Sequence, residues 1–199
     1  MHIEQKEVFC LDSQQYRVRP MALEDVPTAL EIVDTYLGAG MYTEATLAEF
    51  IYRPCDFFYI IEDDQGIAGL FCIKTLLAHQ LNQTYGYTKD FWKPFCQAED
   101  KVAIYRGFVV LERARGHNLA STISVPYVNK MFEEEGIKAL FAAAWIKGDW
   151  IPAKNVLVAN GMTAGPIMPR AWYGCKSMYC PYCKQKPCIC DAQLYYRLK

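Results

Sequence analysis

Residues 101–146 read KVAIYRGFVVLERARGHNLASTISVPYVNKMFEEEGIKALFAAAWI. The stretch opens on an apolar run at 102–111 and closes on a second at 137–146, each apolar at nearly every position. Runs of that kind suit strands buried on both faces. Between them the sequence predicts a helix over 118–135, stopped by Gly136. Strand, helix and strand within 46 residues make a right-handed crossover unit. Pro126 removes a backbone hydrogen bond in mid-helix, so a kink is expected there.

Outward from this unit the pattern stays legible. Upstream, YRVRP at 16–20 reads as a first strand. Asp25 can cap a helix whose stripe is Val26, Ala29, Leu30, Val33, Tyr36 and Leu37, with Pro27 in the first turn and GAG at 38–40 as its stop. A second helix is expected over 43–52. The runs FFYII and IAGLFCIKTLL flank EDDQG and predict a β-hairpin. Residues 78–100 are aromatic and polar, a long connection with short helical pieces. Downstream, 151–160 reads as a short helix ended by Gly161, and 165–173 and 191–199 as a final strand pair. The expected class is α/β: a mixed, mostly antiparallel sheet flanked by helices. It forms one domain, 1–199, elaborated by a cysteine-rich insertion at 175–190.

Composition narrows the function. The chain has 199 residues, is 52% hydrophobic and carries a net charge of −1. Charge therefore gives no case for a nucleic-acid or membrane-surface partner. The N-terminal stretch lacks the basic-then-apolar plan of a signal peptide. The run ALFAAAWI is far too short to span a bilayer. A cytoplasmic protein is the expectation.

The turn after the first run, ERARGHNLAS at 112–121, is unusual for a strand-to-helix connection. A helix start offers unpaired N–H groups and the positive end of a dipole. Gly116 is unrestricted, Asn118 tolerates left-handed angles, Ala120 and Ser121 are small, and Arg113 and Arg115 add positive charge. A pyrophosphate cradle and an ordinary capped turn both fit these residues.

In context, Arg115-Gly116-His117-Asn118-Leu119-Ala120 resembles the acyl-coenzyme A motif of the GNAT acyltransferase superfamily. That motif is Arg or Gln, two residues, Gly, one residue, then Gly or Ala. YRVRPMALEDVPTALEIVDTYL is similar to the family's first strand and helix, EDDQGIAG to its next hairpin, NVLVANGM to its short helix, and DAQLYYRLK to its last strand. The resemblance implies an N-acetyltransferase passing an acetyl group from acetyl-CoA directly to an amine, with no covalent enzyme intermediate. It places the pantetheine arm along Phe108, Val109 and Val110. It places the phosphates at Arg115, Gly116, His117, Asn118, Leu119, Ala120 and Ser121. The acceptor, a small-molecule or protein amine, would meet 36–43 and 78–100, and a homodimer stays open as a further partner. Tyr105 is the catalytic candidate, as a base acting through water; Glu99, Asp100 and His117 are weaker ones. Three positions depart from the pattern. Asn118 replaces the first motif glycine, Leu157 falls where many members carry an acid tyrosine, and Trp150 falls where many carry asparagine. A non-catalytic acyl-coenzyme A binding or regulatory module is the alternative.

The nine cysteines are uneven. Cys10, Cys55, Cys72 and Cys96 lie in apolar surroundings and read as reduced core residues. CPYCKQKPCIC sets Cys180, Cys183, Cys188 and Cys190 at metal-ligand spacing. Zinc, in a structural site, is the expected ion, with iron as the other candidate. Cys175 reads as a spare. Six basic residues against one acid over 170–199 fit either a solvated surface or an anionic partner.

Overall fold

The computed structural model describes residues 7–116 and 118–199. Its strands are β1 (Glu7–Leu11), β2 (Gln14–Pro20), β3 (Asp56–Asp63), β4 (Gly66–Leu77), β5 (Lys101–Val110), β6 (Ala139–Trp145), β7 (Thr163–Met168) and β8 (Ala192–Leu198). They form one sheet in the order β1-β2-β3-β4-β5-β6-β8-β7, and only the β5–β6 pair is parallel. The mixed, mostly antiparallel sheet is the one expected, with its single parallel pair made by the 101–146 crossover.

The helices are α1 (Val26–Val33), α2 (Glu44–Tyr52), α3 (Leu81–Tyr85), α4 (Lys89–Trp92), α5 (Leu119–Glu133) and α6 (Lys154–Ala159). Strand alternation sorts the sheet into two faces. On one face, Tyr59, Phe71, Ala103, Tyr105, Leu140, Ala142 and Tyr195 pack with Leu119, Ile123, Tyr127 and Met131 of α5. On the other face, Phe58, Ile60, Leu70, Cys72 and Val109 take α1 and α2. Val102, Ile104, Phe141 and Leu194, on the same face, take α3 and α4. The helix α5 runs unbroken past Pro126 because its buried stripe of Ile123, Tyr127, Val128 and Met131 holds it on the sheet.

Several details differ from the sequence reading. β1 is an additional strand, joined to β2 through Asp12 and Ser13, which sit at φ 46° and 69°. Two successive positive φ values make the tight hairpin turn that matches strand twist. Asp25 makes no side-chain cap on α1. Its carboxylate accepts from the Ala22 amide and from the Arg19 guanidinium, which also binds Glu62. After Val33 the chain continues as a wider π-type turn, Asp34–Gly38. The final hairpin begins earlier than expected, since β7 ends at Met168 and Ala171–Tyr173 lie in a turn.

Arg106 is skipped in the β4–β5 register, where Cys72 faces Gly107 and Ile73 faces Tyr105. One extra residue on one strand turns neighbouring side chains to the same face. Arg106 therefore lies over the Tyr42 and Phe50 rings, at 5.1 and 5.0 Å. Gly107 packs under Leu37 so closely that a Cβ there would stand 2.7 Å from Leu37 Cδ1.

Candidate active site and four-sulfur cluster

The parallel strands pair only from Val102↔Ala139 to Tyr105↔Ala142. Beyond that point β5 follows β4 out to Val110↔Gly69, and β6 follows β8 out to Trp145↔Ala192. The sheet thus parts between 106–110 and 143–145. Two strand edges face an opening at the carboxyl ends of the parallel pair. Open α/β sheets bind ligands at such crevices, and an unpaired edge can take an extended chain.

β5 leads straight into the loop at 111–118. Gly116 has φ 102°, with nothing near the place a Cβ would occupy. Asn118 sits at φ 55°, ψ 20°, the left-handed conformation asked of it, and its side chain makes no cap hydrogen bond. The first helical bond runs from Thr122 N to Asn118 O at 3.0 Å. The Leu119, Ala120 and Ser121 amides precede it, at the end of the helix that favours anions. His117 lies outside the described residues.

The two arginines of the loop, alike in sequence, differ in place. Arg113 is held by the Asp63 carboxylate, whose side chain is fully buried, and donates to Ile67 O at 2.8 Å. Its charge is already matched. Arg115 is half exposed, donates from Nε to Val110 O at 2.9 Å and lies over the Tyr36 ring at 5.4 Å. The Val110 carbonyl is thereby taken. Phe108 stacks on Phe71 with centroids 5.2 Å apart, and Val109 is buried on the α1 side.

Tyr105 is the last residue of the parallel ladder and stands at the apex of the opening. Its hydroxyl is buried without a hydrogen-bond partner among the described residues. Burial pushes the phenol far above its ordinary range, and the Ser124 hydroxyl beside it partly opposes this. Ser124 Oγ itself accepts from Asn160 Nδ2 at 2.7 Å. Leu157 is buried in the α5-side core, and Trp150 is exposed. Glu99 and Asp100 lie in the connection before β5, where an Asp100 carboxylate oxygen accepts from the Gln97 amide at 2.7 Å.

Cys180, Cys183, Cys188 and Cys190 bring four sulfurs within 4.8 Å of one another. Two pairs lie 3.8 Å (Cys180–Cys190) and 4.0 Å (Cys183–Cys188) apart. Sulfurs bound tetrahedrally at about 2.3 Å from an ion stand about 3.8 Å apart, whereas a disulfide needs about 2.05 Å. The spacing fits ligation, and all nine cysteines are free of disulfides. The Tyr182 and Cys190 amides each donate to a cysteine sulfur at 3.4 Å, a bond that favours thiolate. Burial acts against ionisation of Cys183, yet hydrogen bonds from the Ile189 and Gln185 amides bring its thiol down to about 7. Burial pushes Cys188 up to about 11. Neighbouring thiolates repel, and a dication at their centre removes that repulsion. Cys175 stays outside the group, 3.8 Å from Ser177 Oγ.

The sequence matches no protein-family model and no curated protein. Solved structures do match. Arabidopsis thaliana NAA60 in complex with acetyl-CoA superposes with TM-score 0.67 at 12% identity over 92% of this chain and 98% of that one. Ribosomal-protein-S5-alanine acetyltransferase from Vibrio fischeri gives 0.61 at 13% identity over 96% of both chains. A GNAT-family acetyltransferase from Streptococcus pneumoniae gives 0.62 at 11% identity over 92% and 98%. The chain has the fold of the GNAT N-acetyltransferases.

Proposed function

We propose that the protein is an N-acetyltransferase that uses acetyl-CoA to acetylate an amine. The observation that carries this reading is the parting of β5 and β6 beside a helix start whose preceding residue, Asn118, is left-handed. Acetyl-CoA, when bound, supplies an activated thioester carbonyl. The unpaired edge at 106–109 would align it, and Arg115 with the Leu119, Ala120 and Ser121 amides would hold its phosphates. Alignment of two reactants alone can supply much of the acceleration. Tyr105 keeps its proton at neutral pH, so its hydroxyl suits donation rather than the role of base. Leu157 has no proton to give, which favours the second reading, a non-catalytic acyl-coenzyme A binding module.

Zinc on the four cysteines would be structural, because protein fills all four positions. Free cysteines throughout suit a reducing compartment such as the cytoplasm. No helix among the described residues is long and apolar enough to cross a membrane.

Calorimetry with acetyl-CoA, then thiol release over a panel of primary amines, tests the reading. Binding that Arg115→Glu weakens by about tenfold, with turnover on at least one amine, is expected. Tyr105→Phe should lower that turnover by about a hundredfold, the usual scale for a positioned proton donor. Binding without turnover on any amine would leave the binding module; no binding would overturn both.

A further inference from the structure

The four-sulfur knuckle is far from the phosphate loop in sequence, yet it closes a path across the strand opening. Trp145, the last residue of β6, stacks on Trp172 at 4.2 Å and meets Tyr182 of the knuckle at 5.0 Å. From there Cys180 and Cys188, both fully buried, lead to Met178. Met178 and its neighbours rest on the turn that ends α1. The Tyr179 amide donates to Ala39 O at 2.8 Å in a one-residue antiparallel bridge. A Cβ on Gly38 would stand 2.7 Å from Met178 Cγ, and one on Gly40 would stand 2.8 Å from Ser177 O. One residue before this turn, Leu37 covers Gly107 of β5. A continuous chain of contacts thus runs from the end of β6, through the knuckle, to the outer half of β5.

All of it lies on one face. Ala139, Phe141 and Ala143 pack on the α3 and α4 side, so alternation carries Trp145 to that side as well. Gly107 and Arg106 face the same way, as does the Arg115 guanidinium over Tyr36, whereas the body of α5 occupies the opposite face. A thioester lying between the parted strands would therefore have α5 on one side and the knuckle on the other.

We propose that the four-cysteine knuckle is the wall of the strand opening opposite α5, held against the α1 turn only while its metal is bound. The inference rests on the acyl-coenzyme A reading. The knuckle's own fully buried set is small, Met178, Cys180 and Cys188, with Met41, Trp145, Trp172 and Tyr182 packed around it. Metal binding would then control the room beyond the acetyl group, where an amine must approach. A closed wall suits an amine on a slender chain better than one on a folded surface.

Coenzyme A esters of different chain length serve as rulers. Acetyl-CoA ends at the reacting carbon, whereas octanoyl-CoA extends past it into the space the knuckle would bound. Both affinities would be measured with the zinc-loaded protein, after chelation, and with Gly40→Val. That variant keeps all four cysteines but sets a branched side chain at φ 75° against Ser177 O. Chelation and Gly40→Val should each leave acetyl-CoA affinity within a factor of two. Each should improve octanoyl-CoA binding relative to acetyl-CoA by about tenfold, the scale of a pocket wall's discrimination. Hydrogen exchange at 38–41 and 177–180 should accelerate in both. An unchanged ratio with unchanged exchange, while acetyl-CoA still binds, overturns the wall. Failure of both esters to bind the loaded protein overturns the acyltransferase reading instead, and the wall with it.

Discussion

The loop at 111–118 and the knuckle at 169–191 flank the same opening and are ordered by unlike means. The loop is fixed by parts the rest of the fold supplies. Arg113 ties it to Asp63 and Ile67, Ala114 is buried, and α5 pins its far end through Leu119 and Ile123. The knuckle spans the β7–β8 connection and contributes few buried side chains. A short segment with so small a core needs a cross-link or a metal. The lesson concerns independence: on the proposed reading one wall of the site would stay formed without an ion, and the other would not.

The largest expected effect breaks that symmetry directly. Chelation, or Cys180→Ser, should raise hydrogen-exchange rates at Tyr179, Tyr182 and Cys190 by roughly a hundredfold or more as the knuckle opens locally. Amides of β3 and β4 should change by less than about threefold, since their stability is set by the sheet. Elemental analysis of the purified protein should give one equivalent of zinc. Equal loss of protection in β3 and knuckle would make the metal a global staple. Charge sharpens the same point. Four thiolates around a dication would leave a net charge of −2, and Lys176, Lys184 and Lys186 lie in the same stretch of sequence.

A smaller effect concerns the other end of α1. Its start is anchored by Arg19, which binds Asp25 and Glu62 together, as its end is anchored by the knuckle. Asp25 is buried, so Asp25→Ala should destabilise the protein by about 3 kcal/mol, the scale for breaking a buried ion pair. The pH dependence has a definite sign. Burial opposes ionisation of Asp25, but the Arg19 guanidinium wins and holds the carboxyl below its usual value. A depressed folded value gives stability that is present above the unfolded value, about 3.9, and lost as pH falls through the folded one. Acid melting curves of the parent should therefore fall more steeply below about pH 4 than those of Asp25→Ala.

Much of this frame can be read from the chain, and the reasons it ends where it does are physical. The runs at 102–111 and 137–146 announce buried strands because a strand covered on both faces has no polar positions. The Cys180–Cys190 spacing announces a ligand set because four sulfurs so close have few other uses. What escapes is anything settled by a distant partner. Gly38 and Gly40 look like a helix stop, yet both also let Ser177 and Met178 approach. Arg113 and Arg115 look equivalent until Asp63 claims one of them. The Asp12–Ser13 turn hides β1 because it lacks the glycine that usually marks such hairpins.

On the loop side, expected effects are near tenfold. Asn118→Val places a β-branched residue at φ 55°, where L-residues lose roughly 1–2 kcal/mol. Acetyl-CoA affinity should fall by about tenfold while the knuckle keeps its zinc. Arg115→Glu should act similarly and weaken the salt dependence of binding, because exposed charge pairs are screened. Zinc lost from either variant would show that the two walls are coupled after all.

The smallest effect lies between the walls, at the apex. Tyr105 brings a buried hydroxyl to the apex that makes no hydrogen bond of ordinary geometry among the described residues, although Ser124 stands close enough to act on it, and Asn160 Oδ1 is likewise without a bond. Ser124 is the common neighbour, already accepting from Asn160 Nδ2. A buried hydroxyl left unpaired lowers stability, so removing it should help slightly. Tyr105→Phe should raise the folding free energy by about 0.5–1 kcal/mol, an increase of roughly 1–4 °C in melting temperature. A fall of the same size would mean that Ser124 turns its proton toward Tyr105 in solution, and that the apex is a connected relay from Asn160 to the phenol. The measured sign thus separates a hydroxyl waiting for a ligand from one engaged by the fold. Adding acetyl-CoA to the melting experiment extends the comparison. If the ligand engages Tyr105, its stabilisation should be smaller in Tyr105→Phe than in the parent at equal ligand concentration. Equal stabilisation would remove Tyr105 from contact with the bound ester.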